Sequence, residues 1–208
     1  MNFANRLLLV STESASQDPP PPAYPPCYLS QILRAYLQHY RSGGQSAGSQ
    51  SLAVHPLQAG VNLEALWQQV NAPETHWVLV EAHESLASPL YADTTVADLA
   101  WDWRLATILL VPLTPHTISQ TIAYTALARQ SRCHLKGILY VAPDSQAWDD
   151  RFELAPPHFL QTFTQLPILG MLPPWPEEAS PADLAQLAGS LHLEYFFPCW
   201  SPQAALSA

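Results

Sequence analysis

Two short stretches carry side chains able to do chemistry, and each follows an apolar run of strand length. After Arg6 to Val10 come Ser11, Thr12, Glu13 and Ser14, then Asp18 and six prolines between Pro19 and Pro26. A loop between a first strand and a first helix is a usual place for phosphate. Holding phosphate there takes glycine for close backbone approach, free N–H groups, a lysine ammonium and a hydroxyl for Mg²⁺. The first glycine of this chain is Gly43, and its only lysine is Lys136. Proline removes N–H donors and holds an extended path. Asp18 reverses the sign of the charge. At a lysine's position, 4 Å from a phosphate charge and at an effective dielectric of 20, a carboxylate replaces attraction by about 4 kcal/mol of repulsion.

The second stretch is Glu81, Ala82, His83, Glu84 and Ser85, directly after "HWVLV". Glu81, His83 and Glu84, joined by Glu13 and His116, offer nitrogen and oxygen ligands for a small metal site. Neither an HExxH nor an HxH spacing supports them, and the competing reading is a solvated loop. Ser85 and Ser88 lack the GxSxG turn of an activated serine and read as loop hydroxyls. Cys27, Cys133 and Cys199 lie far apart without a CxxC pair, which suits reduced packing thiols rather than a disulfide framework or a zinc site. Cys133 and His134 are strand neighbours, whose side chains point to opposite faces.

The elements that position these residues follow from hydrophobic spacing. Arg6 to Ser11 reads as a buried strand, and Tyr28, Leu29, Ile32, Leu33, Tyr36, Leu37 and Tyr40 mark one helix face, which Gly43 and Gly44 end. Leu52 to His55 predicts a brief strand and Val61 to Val70 a helix. "HWVLVEA" and "LATILLVPL" are continuous apolar runs, as expected of central parallel strands. The helix "HTISQTIAYTALARQ" then leads to the strand "LKGILYVA", and the helix "PPHFLQTFTQ" to the strand "LPILGMLP". Strand and helix alternate, so the expected fold is one α/β domain over 1–208, in three layers with a mostly parallel sheet. Ligands are then expected at the carboxyl ends of the strands. The proline-rich loop at 17–26, a flexible Gly/Ser/Gln segment at 42–50 and an irregular apolar tail at 192–208 interrupt the pattern. That tail is expected to cover the sheet edge. Trp67, Trp77, Trp101 and Trp103 are expected in the core or an interface.

Composition narrows the function classes. With 17 acidic against eight basic residues the formal net charge is −9, so the averaged field repels nucleic acid. No apolar run reaches the roughly 20 residues needed to cross a bilayer, and the N-terminus lacks a secretory core, so a cytoplasmic protein without membrane insertion is expected.

"VLVEAHESLASPLYADTTVADLAWDWRLATILLVPL" resembles dethiobiotin synthetase, in which a V-E-G-A-G-G loop precedes T-V-A-D-L-A and a hydrophobic strand. The likeness continues through "LKGIL" and "LPILGMLP", covering residues 61–175 well and the first 40 in outline. It implies a P-loop NTPase-like homodimer that uses ATP and magnesium to carboxylate 7,8-diaminononanoate and close its ureido ring. Glu81 matches the family's metal-binding glutamate, Ala82 to Ser85 stand in an altered substrate loop, and Val141 falls where the family reads adenine with asparagine. Ser11, Thr12, Glu13 and Asp18 occupy remnant positions of its G-T-D-T-x-V-G-K-T loop, without its glycines and lysine. The chain is therefore expected to be a non-catalytic paralogue with no cofactor, acting as a structural or regulatory subunit, with a homodimer or an unidentified protein as partner. The alternative is an active synthetase with ATP and Mg²⁺ in a non-standard site, Arg6, Arg34 or Arg41 supplying the missing charge. A third reading places a ligand or metal at Glu81, His83 and Glu84.

Overall fold

The computed structural model describes residues 6–17, 19–41, 52–72, 77–176 and 178–197. Asp18, the segment 42–50 with its helix-ending glycines, and the tail from 198 on with Cys199 lie outside the described residues.

Six parallel strands form the sheet: β1 (Arg6–Ser11), β2 (Leu52–Leu57), β3 (Trp77–Ala82), β6 (Ala106–Pro112), β7 (His134–Val141) and β8 (Ile168–Leu172). Their order across it is β2-β3-β1-β6-β7-β8. The two apolar runs expected to be central, β3 and β6, flank β1 on either side. They are continuous because both faces are covered, so polar alternation has no solvent face to answer to. Leu8, Val10, Val78, Val80, Leu109, Val111 and Tyr140 face one core. Leu7, Leu9, Leu79, Ile108, Leu110, Leu139 and Val141 face the other.

The second core is closed by α1 (Pro25–Arg41), α8 (Pro181–Ala188) and α9 (Leu193–Phe196). Tyr28, Leu29, Ile32, Leu33, Tyr36 and Leu37 of α1 are buried there, the stripe expected from their spacing. The first core is closed by α2 (Leu63–Val70), α3 (Val96–Asp102), α4 (Thr117–Gln130), the short α5 (Ser145–Asp149) and α6 (Arg151–Leu154), and α7 (Pro157–Thr164). A small hairpin, β4 (Pro89–Tyr91) with β5 (Thr94–Thr95), precedes α3. The result is the expected three-layer, P-loop NTPase-like α/β domain.

The described part of the apolar tail packs against the α1 face of the sheet rather than along an outer strand. Phe196 and Phe197 are fully buried, and the Phe197 ring meets that of Trp77 at 4.7 Å, edge to face. The rings of Trp67 and Trp103 meet at 5.0 Å, tilted by 56°, beside the first core. Trp101 is instead 48% exposed, with the Arg132 guanidinium over its ring.

"TVADLA" has a local physical meaning. Thr95 Oγ1 accepts from the Asp98 N–H at 3.2 Å, and Asp98 Oδ2 accepts from the Thr95 N–H at 2.9 Å. This reciprocal capping box starts α3 directly after β5. The Thr95 hydroxyl first, and then its N–H, hold the Asp98 carboxyl below its ordinary range. The folded-state pKa is depressed, so the stabilisation is present above the ordinary carboxylate range and is lost as pH falls through the lowered value. Thr95→Ala is expected to cost about 1 kcal/mol at neutral pH. Urea titrations of both proteins check this, and their midpoints should draw closer in strong acid without meeting, because Thr95 Oγ1 still accepts the Asp98 N–H there.

Candidate site at the β1–α1 and β3 loops

Because β1 lies between β3 and β6, the loops after β1 and β3 emerge side by side at the carboxyl end of the sheet, where an open α/β fold binds its ligands. Four N–H groups of the first loop are committed to the protein's own acceptors. The Thr12 N–H donates to the Leu110 carbonyl at 3.1 Å, that of Ala15 to His83 at 2.7 Å, and that of Tyr24 to Pro21 at 2.9 Å. The Glu13 N–H donates to Ser11 Oγ at 3.2 Å. Pro19 to Pro22 have no N–H to offer. Helix α1 then opens on Pro25 and Pro26, and the Tyr28 N–H bonds the Tyr24 carbonyl at 2.8 Å. The first turn, where a helix usually presents several N–H groups to an anion, retains at most that of Cys27.

Tyr24 ties the two loops together. Its ring is buried, and its hydroxyl lies 3.0 Å from the Glu13 carbonyl, 3.1 Å from Ala82 and 3.3 Å from His83. Burial chiefly, with Cys27, Glu84 and Glu13 adding to it, pushes the phenol pKa upward, so the hydroxyl keeps its proton and donates. Ser14 Oγ completes the seam, accepting the Ser85 N–H at 3.1 Å and meeting Ser88 Oγ at 3.2 Å. Ser85 Oγ also meets Ser88 Oγ at 2.9 Å, which makes these serines loop-bracing hydroxyls, as expected.

Beside this seam is a cavity of about 260 Å³ lined by Ser11, Glu13, Ser14, Ser16, Pro21, Ala23, Tyr24 and Pro25. Hydroxyls, ring carbons and one carboxylate face it, and none of these lining residues is cationic. Its volume falls just below the about 300–1,000 Å³ usual for small-molecule pockets.

The sequence-predicted residues divide between different environments. Ser11 and Thr12 are buried, the Thr12 hydroxyl pointing to Gln120 Oε1 at 3.4 Å. Glu13 is exposed and Glu84 half-buried, both close enough to Tyr24 to influence it. His116 is exposed at the start of α4. Ala82 is fully buried in the first core, and Ser85 is buried. Of the five residues considered for a metal, only Glu81 and His83 come together, and their third member is Cys27. One ligand atom from each lies within 4.8 Å of the others, the one such group among the described residues.

Cys27 therefore does more than pack. Its thiol, pushed up to about 12 by burial and by the Glu81 charge, donates to Glu81 Oε2 at 3.7 Å. The Ser30 hydroxyl donates to Glu81 Oε1. Cys27 and Ser30 are three residues apart and so share one face of α1. A polar pair at that spacing beside an apolar stripe was the available signal, and the neighbouring position of β3 completes it. Cys133 does pack at the end of α4, as expected, with its thiol on the Ala97 carbonyl at 3.2 Å.

Comparison with known proteins agrees with this architecture. ATP-dependent dethiobiotin synthetase BioD from Crocosphaera subtropica is 37% identical over 139 residues, 66% of this chain and 63% of that protein. The corresponding proteins from Gloeothece citriformis and Synechocystis sp. are 36% and 39% identical over 140 and 130 residues, or 66% and 62% of this chain. The matches span 62% and 54% of those two proteins, so in all three this chain covers less than two thirds of the relative's length. Residues 46–182, from β2 to the start of α8, match a family model described as an AAA domain. With its parallel sheet and its likeness to dethiobiotin synthetases, the chain belongs to this AAA domain family (AAA_26).

Proposed function

We propose that the chain is a non-catalytic, dethiobiotin synthetase-like protein that acts by binding, as a structural or regulatory subunit without a nucleotide cofactor. The observation that carries this reading is the β1–α1 loop itself, which has no glycine or lysine, whose prolines offer no N–H, and whose Thr12, Glu13, Ala15 and Tyr24 N–H groups are donated to the protein itself. A triphosphate there would meet prolines and the Glu13 carboxylate without an ammonium, at a cost that grows as water is excluded.

The positions of the cations support it. Lys136 is at the opposite, amino end of the sheet, where its ammonium donates to the Tyr195 carbonyl at 2.9 Å. Arg6 is also at an amino end, with Nε on the Val70 carbonyl at 2.8 Å. Arg34 sits roughly 13 Å along α1 from Pro25, at 1.5 Å per residue. Asp18 adds a second carboxylate to the loop sequence, beside Glu13, which is adverse to phosphate. A homodimer is the default assembly of this proposal, with the exposed proline loop as the surface for a protein partner in the cytoplasm.

A second reading keeps the synthetase active, with ATP and Mg²⁺ bound in a non-standard site. The observation favouring it is Glu81, still at the carboxyl end of β3 and oriented by Ser30. A coupled assay with Mg·ATP, 7,8-diaminononanoate and bicarbonate separates the two. No dethiobiotin above background is expected; sustained turnover by the purified chain overturns the proposal.

A further inference from the structure

We infer that Cys27, Glu81 and His83 form a binding site for a borderline divalent transition metal of the zinc class, with three protein ligands and one position left for water or an outside ligand. The three come from two elements and a loop that the fold clamps together: Cys27 from the first turn of α1, Glu81 from the second-last position of β3, and His83 from the loop that follows. Sulfur, nitrogen and oxygen in one group is a donor set that zinc-class ions accept and that magnesium, which takes oxygen and keeps its waters, does not favour.

Three further observations point to a ligand. His83 is only 9% exposed, yet its Nδ1 is buried without a hydrogen-bond partner. A buried imidazole nitrogen in that condition costs stability unless something fills its coordination. The His83 backbone is fixed at both polar atoms, its N–H on the Leu57 carbonyl at 2.8 Å and its carbonyl accepting from Ala15 at 2.7 Å, so the ring is delivered from a rigid position. The Glu81 carboxylate is divided: Oε1 takes the Ser30 hydroxyl and Oε2 faces the Cys27 sulfur at 3.7 Å. An outer partner that orients a ligating carboxylate is the usual second layer of a metal site.

The distances are compatible with an ion. Metal bonds of about 2.0–2.3 Å in tetrahedral geometry put neighbouring ligand atoms about 3.3–3.6 Å apart. The sulfur-to-carboxylate separation of 3.7 Å is close to that, and the limit of 4.8 Å for the whole group leaves about 1 Å for side chains to close. Binding replaces the thiol proton, which leaves to solvent, by the metal, and the charge of the ion offsets that of the new thiolate and of Glu81. The ion would fasten the start of α1, directly after the proline loop, to the end of β3. The site shares Glu81 with the active-synthetase reading, but its test needs no nucleotide.

The test uses the full chain stripped with a chelator and titrated with Zn²⁺ by competition against a chromophoric chelator, and separately with Co²⁺ by absorbance. The expected results are one tight equivalent of Zn²⁺, and with Co²⁺ a thiolate-to-metal charge-transfer band. Cys27→Ala should abolish that band and His83→Ala should weaken Zn²⁺ binding by about 100-fold or more. Ser30→Ala, a positioning change, should weaken it by about 10-fold. Cys133→Ala, whose thiol is outside the group, should leave both readouts unchanged. Circular dichroism of each stripped variant establishes that it is folded before titration, and if Cys27→Ala is not folded, Cys27→Ser replaces it. Absence of a stoichiometric equivalent in the wild-type chain, a charge-transfer band that persists without Cys27, or equal loss in Cys133→Ala overturns the inference.

Discussion

Tyr24→Ala is expected to lower the stability of the protein by about 3–5 kcal/mol, the range for truncating a buried aromatic. The side chain is 7% exposed, and its hydroxyl faces the carbonyls of Glu13, Ala82 and His83 between two loops otherwise joined by the Ala15–His83, Ser14–Ser85 and Ser14–Ser88 hydrogen bonds. In a chain of this size about 2–4 °C of melting temperature goes with each kcal/mol, so the loss is easily read. Tyr24→Phe keeps the ring and removes only the donor, and about 1–2 kcal/mol is expected, because carbonyl oxygens tolerate a lost partner better than N–H groups do. Urea unfolding with an unchanged slope checks both. If Tyr24→Ala changes stability by under about 0.5 kcal/mol, as a surface substitution would, the loops are not joined through this residue and the account of the proline loop fails.

Gly170→Ala should be almost as damaging, at about 2–4 kcal/mol, from backbone strain and overpacking together. Gly170 has φ +148, and a Cβ there would stand 2.6 Å from Leu191 Cδ2 and 3.2 Å from the Ser190 carbonyl oxygen. Strand β8 runs directly against the turn that follows α8, where the His192 N–H reaches the Leu169 carbonyl at 2.9 Å. Only a residue without a side chain permits that approach. Gly60 is the control: it has φ +78 but nothing within 4 Å of its Cβ position, so Gly60→Ala should show the strain component alone, about 1–2 kcal/mol. Equal effects at the two glycines would show that the contact with Leu191 does not matter.

The sheet was legible because burial on both faces leaves an unbroken apolar run, and every such run from Arg6 to Leu172 became a parallel strand near its expected bounds. Helix α1 was legible because its stripe is long enough to show its period. Helix α8 is only eight residues, short enough that the Ser180–Asp183 capping box is its clearest mark. The hairpin β4–β5 is shorter still.

The site was legible only in part. Glu81 and His83 could be placed at the end of a strand by counting, and the missing glycine and lysine are facts of composition. Their partner Cys27 lies more than fifty positions away, and it meets them only because β1 is hydrogen-bonded to β3 while α1 packs across both. Strand order is a tertiary fact that spacing does not encode. The role of Tyr24 was hidden for the same reason, since its acceptors are backbone carbonyls, which carry no signature in the side-chain pattern.

Calorimetric titration of the purified chain with Mg·ATP tests the central claim most directly. With no glycine or lysine in the loop, prolines in place of several of its amides, and Lys136 and Arg6 at the amino end of the sheet, no saturable heat is expected up to millimolar nucleotide. A saturable one-to-one isotherm in the micromolar range, competed by ADP, would contradict it.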